Sequence, residues 1–287
     1  MHSARKELKK ARAVLRLLRA VLGRRAFASE NAVLRDAARP LGKVRDSKVL
    51  LERLEELIGR PKAGPIDEFT STLQGAKTQA RRVWLAAAGL RSRHRALREL
   101  AARSTRWHVG RHGWSVLGAG IGQTYARGRR AFAAAREKPS VEHLHEWRKQ
   151  AKYLCYQLQF LRPVAPKPLG RLTREVYQLS KCLGLDHDLA LLREKVHKAN
   201  RQAHREHRAL LALIDARRAR QQALAFARGE KLYRVRPAAF TQLLGTYWRA
   251  WKRAARANES PATAALEAAS RKVRMAPSRR IAESTRT

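Results

Sequence analysis

Acidic residues and cysteines are scarce in this chain. Only 23 aspartates and glutamates stand against 63 lysines and arginines, so the 287 residues carry a formal net charge of +40. The two cysteines, Cys155 and Cys182, are too few for a disulfide framework or a cysteine-based zinc site. The longest apolar run has about eight residues, whereas a membrane span needs ~18. We therefore expect a cytoplasmic protein without a membrane span.

Aromatic and β-branched residues are also few, and aromatics make up only 6% of the chain. Alanine, leucine, arginine and lysine dominate, and all four favour helices. Apolar residues recur at spacings of three and four rather than two, which is the helical period. Breaks are expected at residues 59–65, 107–114, 138–140, 162–168 and 235–237. The pattern predicts an all-α fold of eight to ten helices without a strand.

The first predicted helix carries a row of cations at spacings of three and four. Its members are His2, Arg5, Lys9, Arg12, Arg16 and Arg19. The row rises about 26 Å along the helix. An apolar row runs beside it, through Ala4, Leu8, Ala11, Leu15, Leu18 and Leu22. Aligned like charges destabilise a helix, so the row favours a bound anion over the alternative of a solvated basic face.

The same pattern occurs a second time. His145, Arg148 and Lys152 repeat the spacing of the first three cations, 143 positions further along the chain. A second motif, LG-x-x-[RH]-D, ends at Asp46 and again at Asp188. Because two separate motifs share nearly one offset, the sequence indicates an internal duplication.

The duplication predicts two pseudo-symmetric helical-bundle halves around a basic central groove or pore. We expect residues 1–137 to form the first repeat and residues 140–255 the second, together making one domain over residues 1–255. Residues 256–287 lack an apolar row and are rich in Ala, Ser, Thr, Pro and Arg. That composition predicts a basic tail that is either disordered or loosely helical.

These motifs, in this order and duplicated, are similar to those of the CHAD family (conserved histidine α-helical domain). The matching stretches are HSARKELKKARAVLRLL, LGKVRDSKVLLERL, YARGRRAF, LHEWRKQAKYLCYQLQFL and LGLDHDLALLREKV. The resemblance covers nearly all of residues 1–255. It implies an all-α fold of two pseudo-symmetric halves around a basic pore. It also implies binding of inorganic polyphosphate and association with polyphosphate granules.

Position by position, the resemblance implies a polyphosphate site that combines both helices. Its residues are His2, Arg5, Lys9, Arg12, His145, Arg148, Lys149 and Lys152. Arg16 extends the first row, and Arg127 and Arg130 lie in the YARGRRAF stretch that the resemblance places near the site. Arginine binds phosphate oxygens through forked donors, and lysine supplies a mobile point charge. A neighbouring polyanion should favour protonated histidines, so we expect stronger binding near pH 6 than near pH 8.

No catalytic apparatus is expected, since the sequence has neither a phosphate-binding loop of the Walker type nor a G-x-S-x-G elbow. The dyad of His187 and Asp188 invites a metal interpretation, but Arg45 occupies the matching place before Asp46 and cannot ligate a metal. We therefore expect no metal and no cofactor, and we expect both aspartates to cap helices or orient cations.

Two alternatives stay open at this point. The net charge and the basic tail are also typical of a protein that binds nucleic acid nonspecifically. A basic groove could equally serve an enzyme that metabolises polyphosphate, although the cation rows lack the carboxylates that would hold Mg²⁺. The favoured interpretation is a non-enzymatic polyphosphate-binding protein.

Overall fold

The fold is described from a computed structural model that covers residues 2–59, 65–85, 87–107, 113–199 and 205–274. The α-helices are α1 (His2–Leu17), α2 (Arg19–Ile58), α3 (Pro65–Leu85), α4 (Ala87–Ser104), α5 (Trp114–Glu137), α6 (Val141–Leu161), α7 (Pro166–Ala199), α8 (Arg205–Tyr233) and α9 (Pro237–Arg274), with a 3₁₀ turn at Arg162–Val164. These described residues contain no strand. The prediction of an all-α fold is therefore confirmed for them.

The helix boundaries follow local signals that the sequence contains. All five predicted breaks separate helices, and the break at residues 138–140 shows the mechanism most clearly. Ser140 has an extended backbone, and its side chain accepts a hydrogen bond from the backbone N–H of His143. This is the N-cap geometry that satisfies a free donor at the start of α6. At the start of α2, Gly23 departs from helical geometry with φ of 73° and kinks the helix.

The largest apolar core contains buried residues from each of the five helices from α5 through α9. Tyr125 stacks on Phe240 with ring centroids 3.9 Å apart, and its hydroxyl lies 2.7 Å from the carbonyl oxygen of Leu232. Trp147 is completely buried and packs against Phe132. A second apolar cluster lies among α2, α3, α7 and α8, and a third joins α1 to α2 and α4. The second-repeat helix α6 is thus fixed in the centre of the largest core.

Helix α1 is seated directly on α5 and α6. Ala13 and Leu17 of α1 are fully buried, and the buried side chain of Gln157 in α6 donates a hydrogen bond of 3.0 Å to the carbonyl oxygen of Ala13. Helix α2 in turn contacts α7. For each repeated motif, the two helices that carry its copies are therefore in contact. Helix α1 contacts α6, and α2 contacts α7. The twofold symmetry of the halves stays a prediction.

The end of the chain, as far as Arg274, agrees with the helical alternative for the predicted tail rather than with the disordered one. Helix α9 continues to Arg274, so the tail is helical as far as that residue. Its alanine-rich and arginine-rich composition has high intrinsic helix propensity. Residues 275–287 lie outside the described part of the chain, and the domain boundary at residue 255 stays a prediction. None of the described helices combines the length and apolar character that a membrane span requires.

Candidate functional site

Five cations from three helices come together beside the junction of α1 and α6. Arg5 and Lys9 project from α1, Arg148 and Lys152 from α6, and Arg45 from α2, each within electrostatic reach of the others. All five are at least partly shielded from solvent. We call these five residues the central cluster. The structure thus brings together four of the sequence-predicted site residues and adds Arg45.

The central cluster is electrostatically strained in the free protein. Burial, and then the charges of Arg5, Arg148, Lys152 and Arg45, lower the pKa of Lys9 from 10.5 to about 7. Burial and the charge of Arg148 likewise lower the pKa of Lys152. Desolvation and like charges both disfavour an ammonium ion. The opposite charge of a bound anion would offset both of these costs.

One orphaned donor points to the same conclusion. The Nε atom of Arg148 is buried and has no hydrogen-bond partner among the described residues. Burial is also the largest cause of the lowered pKa of this guanidinium. Of the nearest charges, Asp188 raises this pKa and Arg45 lowers it. Buried donors normally find a partner, so an orphaned one needs an explanation. An anion held between α1 and α6 would supply an acceptor for it.

Two aspartates hold Arg45 in place. Its guanidinium donates to both carboxylate oxygens of Asp188, at 2.8 and 2.7 Å, and to Asp46 at 3.1 Å. Burial alone would lower the pKa of Arg45. The hydrogen bonds and the charge of Asp188 have the larger combined effect, so the pKa is raised. Both aspartates lie inside helices, so the helix-cap expectation is wrong. The expectation that they orient a cation is confirmed for both.

Two histidines face each other at the edge of the central cluster. The Nδ1 atoms of His145 and His187 are 3.4 Å apart, and the ring centroids are separated by 4.6 Å. Burial, followed by the charge of Arg148, lowers both pKa values, that of His187 to about 4. Both imidazoles are therefore neutral near pH 7 in the free protein. The side chain of His2, the equivalent of His145 in the first motif, lies outside the described residues.

The remaining arginines of the α1 row are held by neutral partners. Arg12 donates through Nε to Asn31 at 3.1 Å, and Arg16 donates through Nη2 to the hydroxyl of Tyr153 at 3.2 Å. The guanidinium of Arg16 also lies 4.1 Å from the centroid of the Tyr153 ring. Cation–π and hydrogen-bond contacts fix a guanidinium without neutralising it.

The other three predicted residues have different environments. Arg127 of α5 is partly buried, and burial followed by the charges of Arg19, Arg16 and Arg130 lowers its pKa. Arg130 is exposed on the same helix. Lys149 is also exposed, and it pairs with Glu146 on its own helix. Lys149 therefore does not join the central cluster, because its position on α6 turns it outward.

Arg45 and His187 were not among the sequence-predicted residues of the anion site. Both occupy the [RH] position of the repeated LG-x-x-[RH]-D motif. That shared position could have identified both residues from the sequence. Each of them immediately precedes an aspartate, and the two helices that carry them, α2 and α7, contact each other. The described residues contain no group of three or more His, Cys, Asp or Glu side chains arranged to hold a metal ion.

The comparisons with known proteins agree with the motifs. A family model described as CHAD domain matches residues 1–197. No curated protein and no solved structure matches the chain. The matched segment comprises α1 to α6 and nearly all of α7, and so includes both histidine-led rows and both aspartate motifs. The resemblance found in the sequence is thus confirmed, and the chain belongs to the CHAD family.

Proposed function

We propose that this chain binds inorganic polyphosphate without chemically changing it. The observation that carries the proposal is the shielded position of Lys9 among four other cations, where burial first and the neighbouring charges second lower its pKa to about 7. A fold gains nothing from such repulsion, so the cluster is best explained as preorganised for a polyanion. The family to which the chain belongs is associated with polyphosphate binding.

The geometry supports a base-free phosphate polymer as the ligand. Polyphosphate carries about one negative charge per phosphate, and the central cluster offers closely spaced ammonium and guanidinium groups of matching density. The contacts of α1 with α6 and of α2 with α7 support our proposal that two pseudo-symmetric halves line one basic groove or pore. The polymer would then lie between the histidine-led rows.

The proposal of a binding role rather than an enzymatic one rests on the aspartates. Asp46 and Asp188 act electrostatically on Arg5 and Arg148 of the central cluster, and both are engaged by Arg45. Mg²⁺ bound beside a phosphate needs carboxylate oxygens that are free to coordinate it. We therefore expect no phosphate release when the protein is incubated with polyphosphate and Mg²⁺. Release of phosphate would favour a polyphosphate-metabolising enzyme instead.

Nonspecific nucleic-acid binding is the second candidate, because the formal net charge is +40. Competition at one salt concentration separates the two functions. Long-chain polyphosphate should displace DNA or RNA of equal charge, and removal of the residues after Arg256 should leave this preference intact. Loss of all binding on that truncation would assign the polyanion site to the tail.

A paired substitution tests the proposed site. Lys9→Gln combined with Lys152→Gln removes two charges that burial already disfavours, so the fold should tolerate the change. We expect the dissociation constant for polyphosphate to rise about ten-fold or more, because two direct phosphate contacts are lost. The control combines Lys6→Gln with Lys77→Gln, which removes two exposed lysines. Equal losses in both variants would contradict a localised site.

Cellular location follows from the same proposal. A protein that binds long polyphosphate through a preorganised cluster should concentrate where that polymer accumulates. We therefore propose association with polyphosphate granules in the cytoplasm. Fluorescence imaging of the tagged chain should show foci that disappear in cells unable to make polyphosphate and in the Lys9→Gln, Lys152→Gln variant. Foci that persist in both would contradict this location.

A further inference from the structure

Helix α9 has an apolar face that the other described helices leave uncovered. Leu243 is 47% exposed and Trp251 is 38% exposed, although both are large apolar side chains. Tyr247 lies between them and is half-buried, while Ala250 and Ala254 are exposed. All five positions fall within about 100° around the helix axis, so they share one side of α9. We call these five residues the outer face of α9.

The adjoining side of α9 fixes the helix to the rest of the protein. Phe240 and Leu244 are buried in the largest apolar core. The ring centroid of Trp248 lies 6.1 Å from that of Trp114, at the start of α5, and 5.1 Å from that of Trp251. Trp251 is therefore the exposed end of a row of three packed indole rings. The core contacts hold the outer face in one orientation.

The side of α9 away from the outer face carries cations. Its charged residues are Arg249, Lys252, Arg253 and Arg256, and all four are exposed. The sequence contains neither aspartate nor glutamate from residue 231 to residue 258, so no acid within this segment neutralises them. Tryptophan and leucine on one side, with arginine and lysine on the other, are typical of helices that lie in the plane of a lipid interface.

An anionic lipid surface suits both sides of this helix. The upper part of the acyl region accepts apolar side chains, and tryptophan rings favour the level of the headgroups. Arginine and lysine side chains are long enough to reach the lipid phosphates from the polar side of such a helix. A second copy of this chain is a poorer occupant, because each copy carries a formal net charge of +40 and the copies repel each other.

We infer that the outer face of α9 binds the surface of a membrane that contains anionic phospholipids. Leu243, Tyr247 and Trp251 enter the boundary between headgroups and acyl chains, and the four cations of α9 pair with lipid phosphates. The helix lies along the membrane surface and does not cross it. The inference is independent of polyphosphate binding, because the central cluster lies on α1, α2 and α6 rather than on α9.

Co-sedimentation of the full chain with vesicles tests the inference at about 0.15 M salt. Vesicles of phosphatidylglycerol and phosphatidylcholine should bind the protein at least about ten-fold more tightly than vesicles of phosphatidylcholine alone. Leu243→Gln combined with Trp251→Gln should weaken binding to the anionic vesicles by about ten-fold or more, because the apolar contribution is lost. Both side chains are exposed, so the fold should tolerate the change.

The matched control is Leu213→Gln combined with Leu224→Gln, which replaces two leucines of α8 that are 48% and 43% exposed. It should bind the anionic vesicles as the wild-type chain does. The Lys9→Gln, Lys152→Gln variant should also bind them normally, which separates this surface from the proposed polyphosphate site. Failure of polyphosphate binding would therefore leave the vesicle result unaffected.

Lipids brominated in their acyl chains measure insertion directly. They should quench part of the tryptophan fluorescence of the wild-type chain, and less of it in Trp251→Phe, which keeps an apolar ring at the same position. Equal quenching in both proteins would contradict insertion of the outer face.

Three further results would overturn the inference. The first is the absence of binding to anionic vesicles. The second is equal vesicle binding by the wild-type chain and the Leu243→Gln, Trp251→Gln variant, since charge alone would then hold the protein on the lipid. The third is a variant that loses affinity for a single-stranded oligonucleotide while keeping its affinity for vesicles, which would assign the outer face to base stacking.

Discussion

Arg45 and Asp188 form a bidentate ion pair that joins α2 to α7. The two N–H···O distances are 2.8 and 2.7 Å, and the carboxylate side chain is only 7% exposed. Each residue belongs to one copy of the repeated LG-x-x-[RH]-D motif. A bidentate guanidinium–carboxylate pair fixes distance and orientation together. The pair therefore couples the two copies of the motif directly beside the central cluster.

Asp188→Asn should destabilise the protein substantially. The substitution keeps the shape of the side chain but leaves the guanidinium of Arg45 partly buried among other cations. Breaking a buried ion pair by removing one partner costs roughly 3 kcal/mol. Urea denaturation, with the free energy of unfolding extrapolated to water, measures the change.

Substitutions of two other aspartates provide the comparison for that result. Asp46→Asn should cost less, roughly 1 kcal/mol, because the side chain of Asp46 is 41% exposed and is held by one bond of 3.1 Å. Asp36→Asn breaks contacts with exposed Arg35 and Arg39 and should change little. If all three substitutions cost the same, the pair of Arg45 and Asp188 has no special structural role.

Lys9→Met should stabilise the free protein while weakening polyphosphate binding. In the folded state the pKa of Lys9 is about 7, against 10.5 for an unperturbed lysine, so folding disfavours its charged form. The loss of folding free energy caused by charging Lys9 grows as the pH falls from about 10.5 to about 7. It is constant below pH 7, with an upper bound of roughly 5 kcal/mol. Methionine fills a similar volume without the charge. Thermal unfolding at pH 7 and pH 10 should show a larger gain in melting temperature at pH 7.

The same residue should make polyphosphate binding depend on pH. A polyanion raises the pKa of Lys9, so binding takes up a proton wherever Lys9 is neutral in the free protein. Affinity should therefore fall as the pH rises above about 7, by about ten-fold between pH 6.5 and pH 8.5. Titration calorimetry in buffers of different ionisation enthalpy measures the proton uptake directly.

Two variants separate lysine from histidine as the source of this effect. Lys9→Arg keeps the charge but does not titrate in this range, so it should flatten the pH dependence. His145→Gln should retain it, because burial and then the charge of Arg148 lower the pKa of His145 in the free protein. The sequence had suggested histidines, His145 among them, as the titrating groups. A pH dependence lost in His145→Gln and kept in Lys9→Arg would restore that hypothesis.

Helical periodicity was sufficient to identify four of the five cations of the central cluster, although not to predict that they meet. Arg5 and Lys9 are four positions apart, as are Arg148 and Lys152, and that spacing puts each pair on one side of a helix. The meeting of α1 with α6 depends on tertiary contacts, such as the hydrogen bond from Gln157 to the carbonyl of Ala13. The internal duplication was the one feature of the sequence that indicated this arrangement.

The apolar row of α1 shows where the same reasoning fails. Leu15 is buried as expected, but Ala4 and Ala11 are exposed, whereas Ala13 and Leu17 are fully buried outside the predicted row. A single apolar stripe assumes that one side of the helix is covered. Helix α1 instead packs on α2 and α4 on one side and on α5 and α6 on the other. Its cation row lies within the packed region rather than beside it.

Side-chain pairs distant in the sequence could not be predicted from local patterns. Tyr153 directly follows Lys152 of the second cation row, and no local pattern indicated that its ring and hydroxyl would hold Arg16 from α1. The packing of other helices decides this contact, and propensity alone is a weak guide.

The position of α1 also depends on a glycine in α5. A Cβ atom added to Gly120 would lie 2.5 Å from the Cα atom of Leu17 and 2.6 Å from its carbonyl oxygen. Backbone atoms cannot rotate aside as a side chain can, so Gly120→Ala must displace one helix. Overpacking of this kind costs roughly 1–3 kcal/mol. The shift should also move Arg5 and Lys9 and weaken polyphosphate binding.

Gly75→Ala in α3 is the matched control for that steric effect. A Cβ atom added to Gly75 meets no described atom within 4 Å, so the variant changes helix propensity alone. Alanine should stabilise this exposed helical position by up to about 1 kcal/mol. Chemical denaturation should therefore give opposite signs for the two glycine-to-alanine variants, with a loss of polyphosphate affinity only in Gly120→Ala. A stabilised Gly120→Ala variant with unchanged affinity would show that α1 can move away from α5 without disturbing the central cluster.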